Sequence, residues 1–393
     1  MNCNKTIYTP GPTNLRENVR RARALKTTNP DVDLDFVEFY KKTCDRFGEI
    51  INTKNDCYIL SGEGILGLEA ACASLTEKGD RVLVIDNGLY GRWFDGFVTM
   101  YGGEVTYFSG DYTKEIDVEA LSKFLEKNND FKYATVVHCD TPTGVLNPVD
   151  KICPLLKSYG ILTVVDSVSA MVGEEFKVDK WQIDIALGGS QKAFSAEPGL
   201  TMVSISDDAR KVMENRETPI VGFYCNLNIW KNYYKDKWFP YTMPISDIIS
   251  LRIAIDNILE EGKEKVIERH RKIGEATRKA VKEYGLDLFL KNGYSNTVTA
   301  VEIPEEIGAL NLRNHLNKKY NVLMSTSLDK YEDKLLRIGH MGENANIEDI
   351  TYVLNAIDKA LKDLGFSSEK HLDKLFIENA NIEDITYVLN AID

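Results

Sequence analysis

Lys192 sits in Gly188-Gly189-Ser190-Gln191-Lys192-Ala193-Phe194, directly after the apolar run Ile183-Asp184-Ile185-Ala186-Leu187. Upstream, Asp166 closes an apolar run of its own in Thr163-Val164-Val165-Asp166-Ser167. A lysine amine in a sheltered site can condense with an aldehyde to a Schiff base. A carboxylate at a strand end can hold the nitrogen of a pyridine ring protonated, so that the ring becomes an electron sink. Read singly, Lys192 is a surface lysine and Asp166 a helix cap. Read together, the two point to one cofactor that uses both, pyridoxal 5'-phosphate.

A second motif competes. Gly62-Glu63-Gly64-Ile65-Leu66-Gly67 satisfies G-x-G-x-x-G between a strand-like and a helix-like run, and Asp86 ends the next strand candidate. That spacing suits a dinucleotide fold with an acid on the ribose, hence an NAD-dependent oxidoreductase using Gly62, Gly64 and Gly67. However, the preceding strand Tyr58-Ile59-Leu60 is short, and a nicotinamide enzyme leaves the Lys192 context without a role. The same glycines let backbone N–H groups and a helix N-terminus approach any phosphate. The phosphate-cup reading is therefore preferred, with a plain strand-to-helix turn as the bland alternative.

These residues need a scaffold, and the pattern supplies one. Strands are expected at Cys57–Leu60, Arg81–Ile85, Glu104–Phe108, Tyr133–Val137, Ile161–Val165, Ile183–Leu187 and Leu200–Ile205, with amphipathic stretches such as Ile65–Leu75 and Val118–Leu125 between several of them. This βα alternation predicts an α/β fold with a mostly parallel sheet covered by helices, and ligands gathered at the carboxyl ends of its strands. Tyr224–Tyr241 is aromatic and irregular, and reads as a functional loop or an interface. A long helical stretch is expected from about Ser246 to Tyr284, weakened at Gly262 and Gly274, and the remainder reads as a smaller α+β domain. The expected division is an arm over 1–20, a large domain over 21–250, a small C-terminal domain over 251–365 and a tail over 366–393.

Composition narrows the classes. The chain has 393 residues, 43% hydrophobic and 27% charged, with a net charge of −12. An acidic surface disfavours nucleic acid and anionic membrane as partners. The start lacks the apolar core of a signal peptide. Seven scattered cysteines suit a reducing cytoplasm, and five histidines without a His/Cys cluster give no reason to expect a metal site. In the tail, ENANIEDITYVLNAID at Glu343–Asp358 recurs letter for letter at Glu378–Asp393. Structural repeats diverge at exposed positions, so full identity indicates recent duplication or an artefact rather than a solenoid.

With these motifs in place, the chain resembles the class V aminotransferases among the fold-type I pyridoxal-phosphate enzymes, and within them the alanine–glyoxylate and serine–pyruvate group. The resemblance runs from Tyr8-Thr9-Pro10-Gly11-Pro12-Thr13 to about residue 364, through PGPTN, SGEG…LEAA, NGLYG, the His138–Gly144 stretch, VDSVSA, GSQKAF and LRIGHMG. It implies a seven-stranded large-domain sheet and a homodimer with the site at its interface. It also implies that Lys192 forms the Schiff base and shuttles a proton, and that Asp166 binds the ring nitrogen. Glu63, Gly64, Ile65 and Gln191 fall at phosphate-binding positions. Tyr90 falls where a ring stacks on the cofactor, and Thr141 where a side chain bonds near the ring oxygen. Tyr241 and Thr242 lie in a segment that reaches the partner's phosphate, and Gly11 and Arg337 lie on the substrate side.

Three departures stand out. Glu63 replaces a small hydroxyl residue, and a carboxylate facing a phosphate dianion is repulsive. The backbone N–H groups of Gly64 and Ile65 are therefore expected to make the phosphate contact, with Glu63 capping or pairing elsewhere. Ile65 removes a polar side chain. Asn29-Pro30-Asp31-Val32-Asp33 stands where many relatives carry a His-Arg motif. The resulting expectation is ping-pong transamination from a small amino acid, alanine or serine, to a 2-oxo acid such as glyoxylate or pyruvate. A lyase on the same fold is the runner-up. A desulfurase is disfavoured because no cysteine follows Cys225.

Overall fold

The computed structural model describes residues 5–380. The apolar positions of the second repeat copy (Ile382, Ile385, Val388, Leu389 and Ile392) lie outside the described residues.

Seven strands form the main sheet: β1 (Asp56–Ser61), β2 (Arg81–Asp86), β3 (Glu104–Ser109), β4 (Tyr133–Val137), β5 (Leu162–Asp166), β6 (Ile185–Gly189) and β7 (Leu200–Ile205). All seven fall at the expected places, within two residues at each end. Their order is β1-β7-β6-β5-β4-β2-β3. Only β7 runs antiparallel, to both of its neighbours. Every residue of β4, β5, β6 and β7 is buried. That is why these segments read as continuous apolar runs: helices cover both faces of the sheet. The edge strand β3 is only half-buried.

The glycine motif lies between β1 and α1 (Gly64–Leu75). A Cβ on Gly67 would fall 3.3 Å from Leu187 and closer still to Thr201, so this glycine lets the helix lie directly on β6 and β7. The register Val137↔Asp166 and Asp166↔Leu187 sets the aspartate at the carboxyl edge of the sheet. With β1 parallel to β6 across β7, the ends of β1, β4, β5 and β6 open on the same side.

A second hydrophobic cluster surrounds a four-stranded antiparallel sheet, ordered Asp287–Leu288, Val298–Glu302, Leu335–Gly339 and Ser325–Thr326. The helical stretch expected from about Ser246 breaks at Gly262, whose φ of 93° ends α2 (Ile245–Glu261) and starts α3 (Lys263–Tyr284). Gly274, the other suspected weak point, stays inside α3. Val266 belongs to the first cluster and Ile273 onward to the second, so α3 serves both.

The N-terminal arm joins the two halves. Thr6–Ile7 pairs in parallel with Val322–Leu323, and Tyr8 is buried in the second cluster. The backbone then turns toward the carboxyl edge of the main sheet. In the tail, Leu372 and Phe376 of α4 (Leu372–Asn379) are fully buried. The described start of the second repeat copy does not repeat its counterpart. Glu343-Asn344 lies in a 3-10 turn, whereas Glu378-Asn379 ends α4. Identical letters thus adopt different structures, as their different surroundings require.

Candidate active site

The strand ends and the arm enclose a cavity of about 230 Å³. Gly11, Glu63, Gly64, Ile65, Tyr90, Thr141, Asp166, Gln191 and Lys192 all line it. Nine of the twelve residues singled out in the sequence therefore meet in one place. Val168, Ser169 and Pro198 line it too but were not singled out. Val168 and Ser169 belong to VDSVSA, where a loop leaving a strand end turns back over the site. That loop was legible as a motif, but not residue by residue.

Lys192 Nζ donates to the carbonyl of Pro10 at 2.6 Å. Burial, then the positive charge of Arg337, lowers its pKa to about 8. Burial raises Asp166 to about 6, against a hydrogen bond from Val168 N at 2.9 Å. Desolvation disfavours the charged form of each. Two groups pushed toward neutrality in one cleft are suited to proton transfer. Gly11 has a φ of 85°, and a Cβ there would lie 3.0 Å from Lys192 Nζ and nearer to the side-chain carbons. Only glycine satisfies both constraints.

Tyr90 lies in the first turn of the helix Leu89–Met100, where its N–H donates to Asp140 Oδ1 at 2.8 Å. Thr141 Oγ1 is hydrogen-bonded to Ser169 Oγ, and the Thr141 carbonyl accepts from Arg337 Nη1 at 3.4 Å. Arg337 Nε donates to Thr326 O at 2.8 Å. The guanidinium is buried, and among the described residues it has no carboxylate within ion-pair distance. A buried cation without an anion suits an incoming carboxylate.

Arg337 stands behind Thr141 rather than in the cavity lining, and two further residues of the expected set stand elsewhere. Tyr241 accepts the Ser61 N–H at 3.3 Å through its hydroxyl and stacks on Tyr224. Thr242 is exposed, and its Oγ1 donates to Asp31 Oδ2 at 3.1 Å, tying it to the segment that departs from the family motif. Neither lines the cavity. Asp86, the acid of the dinucleotide reading, does not line it either. Asp86 accepts from Tyr112 and Ser109 and pairs with Arg92. The glycine motif therefore opens on the same cavity as Lys192 and Asp166, and its nearby acid is already engaged.

The turn itself follows the departure at Glu63. The Glu63 carboxylate caps α1, accepting from Ile65 N at 3.2 Å, and Gln191 Nε2 donates to it at 3.4 Å. The Ile65 N–H expected to face a phosphate is thus taken by a carboxylate of the chain itself.

Comparison with known proteins adds the lineage. The family model for aminotransferase class V matches residues 19–326. The pyridoxamine–pyruvate transaminase of Mesorhizobium japonicum is 33% identical over 362 residues, covering 91% of each chain. The serine–glyoxylate aminotransferase of Arabidopsis thaliana is 31% identical over 370 residues, covering 92% of this chain and 91% of the relative. The crystal structure of ureidoglycine–glyoxylate aminotransferase from Bacillus subtilis superposes with a TM-score of 0.92 at 28% identity, over 95% of this chain and 97% of that one.

The family implies pyridoxal phosphate, and the cavity can be tested against its two ends. The ring end fits: a lysine, a buried aspartate and an aromatic side chain surround one space. The phosphate end does not, because Glu63 occupies the helix N-terminus.

Proposed function

The chain belongs to the class V aminotransferases, and from that membership we propose that it moves an amino group from a small amino acid of the alanine or serine type to a 2-oxo acid such as glyoxylate or pyruvate. The meeting of Lys192 with Asp166 in one cavity carries this reading. A pyridoxal ring bound there supplies the electron sink that allows a Cα–H bond to ionise.

The residues of the chain do the rest. With a pKa near 8, Lys192 holds a useful fraction of neutral amine near neutral pH and can both attack an aldehyde and carry the Cα proton. Asp166 stands at the strand end as partner for a ring nitrogen, which holds a proton better beside a carboxylate. Arg337 offers its free Nη2 edge to the substrate carboxylate, and so orients the Cα–H bond.

A homodimer completes the proposal, with Thr242 serving the partner subunit's site. The exposed Trp93, Met100, Phe223, Tyr224 and Trp238 support an interface. Two separate hydrophobic clusters support a division into two domains, with the change from one to the other between Val266 and Ile273 rather than near residue 250. The six described cysteines are free, as suits a reducing compartment. No helix among the described residues is long and apolar enough to cross a membrane.

The test is a panel of alanine and serine against glyoxylate and pyruvate, with the new amino acid measured by chromatography. Stoichiometric exchange of amine for carbonyl is expected. Release of free ammonia without an acceptor would assign a lyase instead.

A further inference from the structure

A helix N-terminus is a ready site for an anion, because its first N–H groups lack partners. At α1 the chain fills that site itself, with Glu63 as the cap. Its carboxylate lies within the cavity wall, beside Gln191. Of the cavity's charged residues, Glu63 and Asp166 are acidic and Lys192 alone is basic. That lysine is committed to the aldehyde end of the ring. Ile65 and Pro198 bring no side-chain donor to the wall, and the Thr141 and Ser169 hydroxyls are bonded to each other. The Gln191 amide points its nitrogen at Glu63, and its buried Oε1 has no partner. The opposite orientation would set that oxygen against the carboxylate, so the acceptor is what remains unpaired.

A wall built in this way wants a hydrogen donor. A phosphate ester near neutral pH is close to a dianion, with no hydrogen to give and charge that Glu63 repels. A primary alcohol donates one hydrogen and carries no charge. We infer that Glu63 makes this cavity a site for the unphosphorylated ring, pyridoxal or pyridoxamine, whose 5'-hydroxymethyl group donates to the Glu63 carboxylate. This inference rests on the aminotransferase reading above and keeps its 2-oxo acid acceptor, but puts pyridoxamine in place of the amino acid as donor.

The consequence is chemical. A ring without a phosphate anchor enters and leaves as a reactant. Pyridoxamine gives its nitrogen with two hydrogens, plus one hydrogen from C4', to the carbonyl carbon of a 2-oxo acid. C4' takes the carbonyl oxygen in return. Pyridoxal and an amino acid leave, two electrons have passed from C4' to the acid, and no outside oxidant is needed.

The experiment titrates wild type, Glu63→Gln and Glu63→Ser with pyridoxal and separately with pyridoxal 5'-phosphate. Binding is read by equilibrium dialysis, and the Lys192 peptide is weighed after borohydride reduction. Wild type should hold pyridoxal on the order of 100-fold more tightly than the phosphate. Glu63→Gln, which keeps the size and the cap, should narrow that ratio at least about tenfold. Tighter binding of the phosphate by wild type, or a ratio that neither variant moves, overturns the inference while leaving the aminotransferase reading in place. An adduct on Lys192 with neither aldehyde defeats that reading and this inference together.

Discussion

Lys192 Nζ and the carbonyl of Pro10 are joined by a 2.6 Å hydrogen bond across 182 residues of sequence. The bond fixes the amine against the arm, and the arm in turn is fixed by Thr6–Ile7 pairing with Val322–Leu323 and by Tyr8 in the second cluster. The position of the lysine therefore depends on a segment that carries no chemistry of its own.

Gly11→Ala tests that dependence. The left-handed φ disfavours alanine by about 1–2 kcal/mol, and the added methyl group would press on the Lys192 side chain. Turnover should fall by roughly 100-fold, as expected for a displaced reactive group, with the melting temperature only slightly lower. Steady-state kinetics beside a thermal melt separate the two effects.

Capture of an aldehyde by Lys192 should depend on pH. Burial and Arg337 depress the amine to about 8, and only the neutral amine is a nucleophile. The rate should rise about tenfold per unit below pH 8 and level off above it. Arg337→Gln removes the second cause and should move the midpoint upward. Stopped-flow absorbance across pH 6–10 reads both.

Asp166→Asn separates function from stability. The folded state raises this carboxyl from 3.8 to about 6. Its contribution is therefore present at low pH and lost as pH rises through about 6, where a buried charge must form. The substitution should stabilise the ligand-free protein by up to about 3 kcal/mol at pH 8 and by almost nothing at pH 3.5. The Val168 N–H keeps an acceptor in asparagine. Turnover should fall steeply in the same variant. Denaturant melts at the two pH values give the stability difference.

Arg337→Lys addresses the substrate carboxylate. Lysine keeps the charge but loses the planar fork. KM for the 2-oxo acid should rise on the order of 100-fold while kcat changes less, the pattern of a lost binding contact. An unchanged KM would move the carboxylate site elsewhere.

Much of this site could be read from residue order, for physical reasons. The seven strands were legible because a sheet covered on both faces demands continuous apolar runs, as in Tyr133–Val137 and Leu200–Ile205. Lys192 was legible because its motif follows such a run, and Asp166 because it closes one. The break at Gly262 was visible as a weak point, but nothing in the composition separated it from Gly274, which α3 absorbs. The bond from Lys192 to Pro10 was hidden, since a backbone carbonyl leaves no trace in residue type. Glu63 is legible as a mismatch in the motif, while its capture of the Ile65 N–H depends on cap geometry. The settings of Tyr241 and Thr242 depend on long-range contacts to Ser61 and Asp31, which spacing does not encode.

The most direct measurement is the mass of the Lys192 peptide after the protein is mixed with pyridoxal or its phosphate and reduced with borohydride. A pyridoxyl-type adduct is expected on Lys192 alone, lost in Lys192→Ala together with amino transfer. Full transfer activity in Lys192→Ala, or an adduct carried by other lysines and absent from this one, would contradict it.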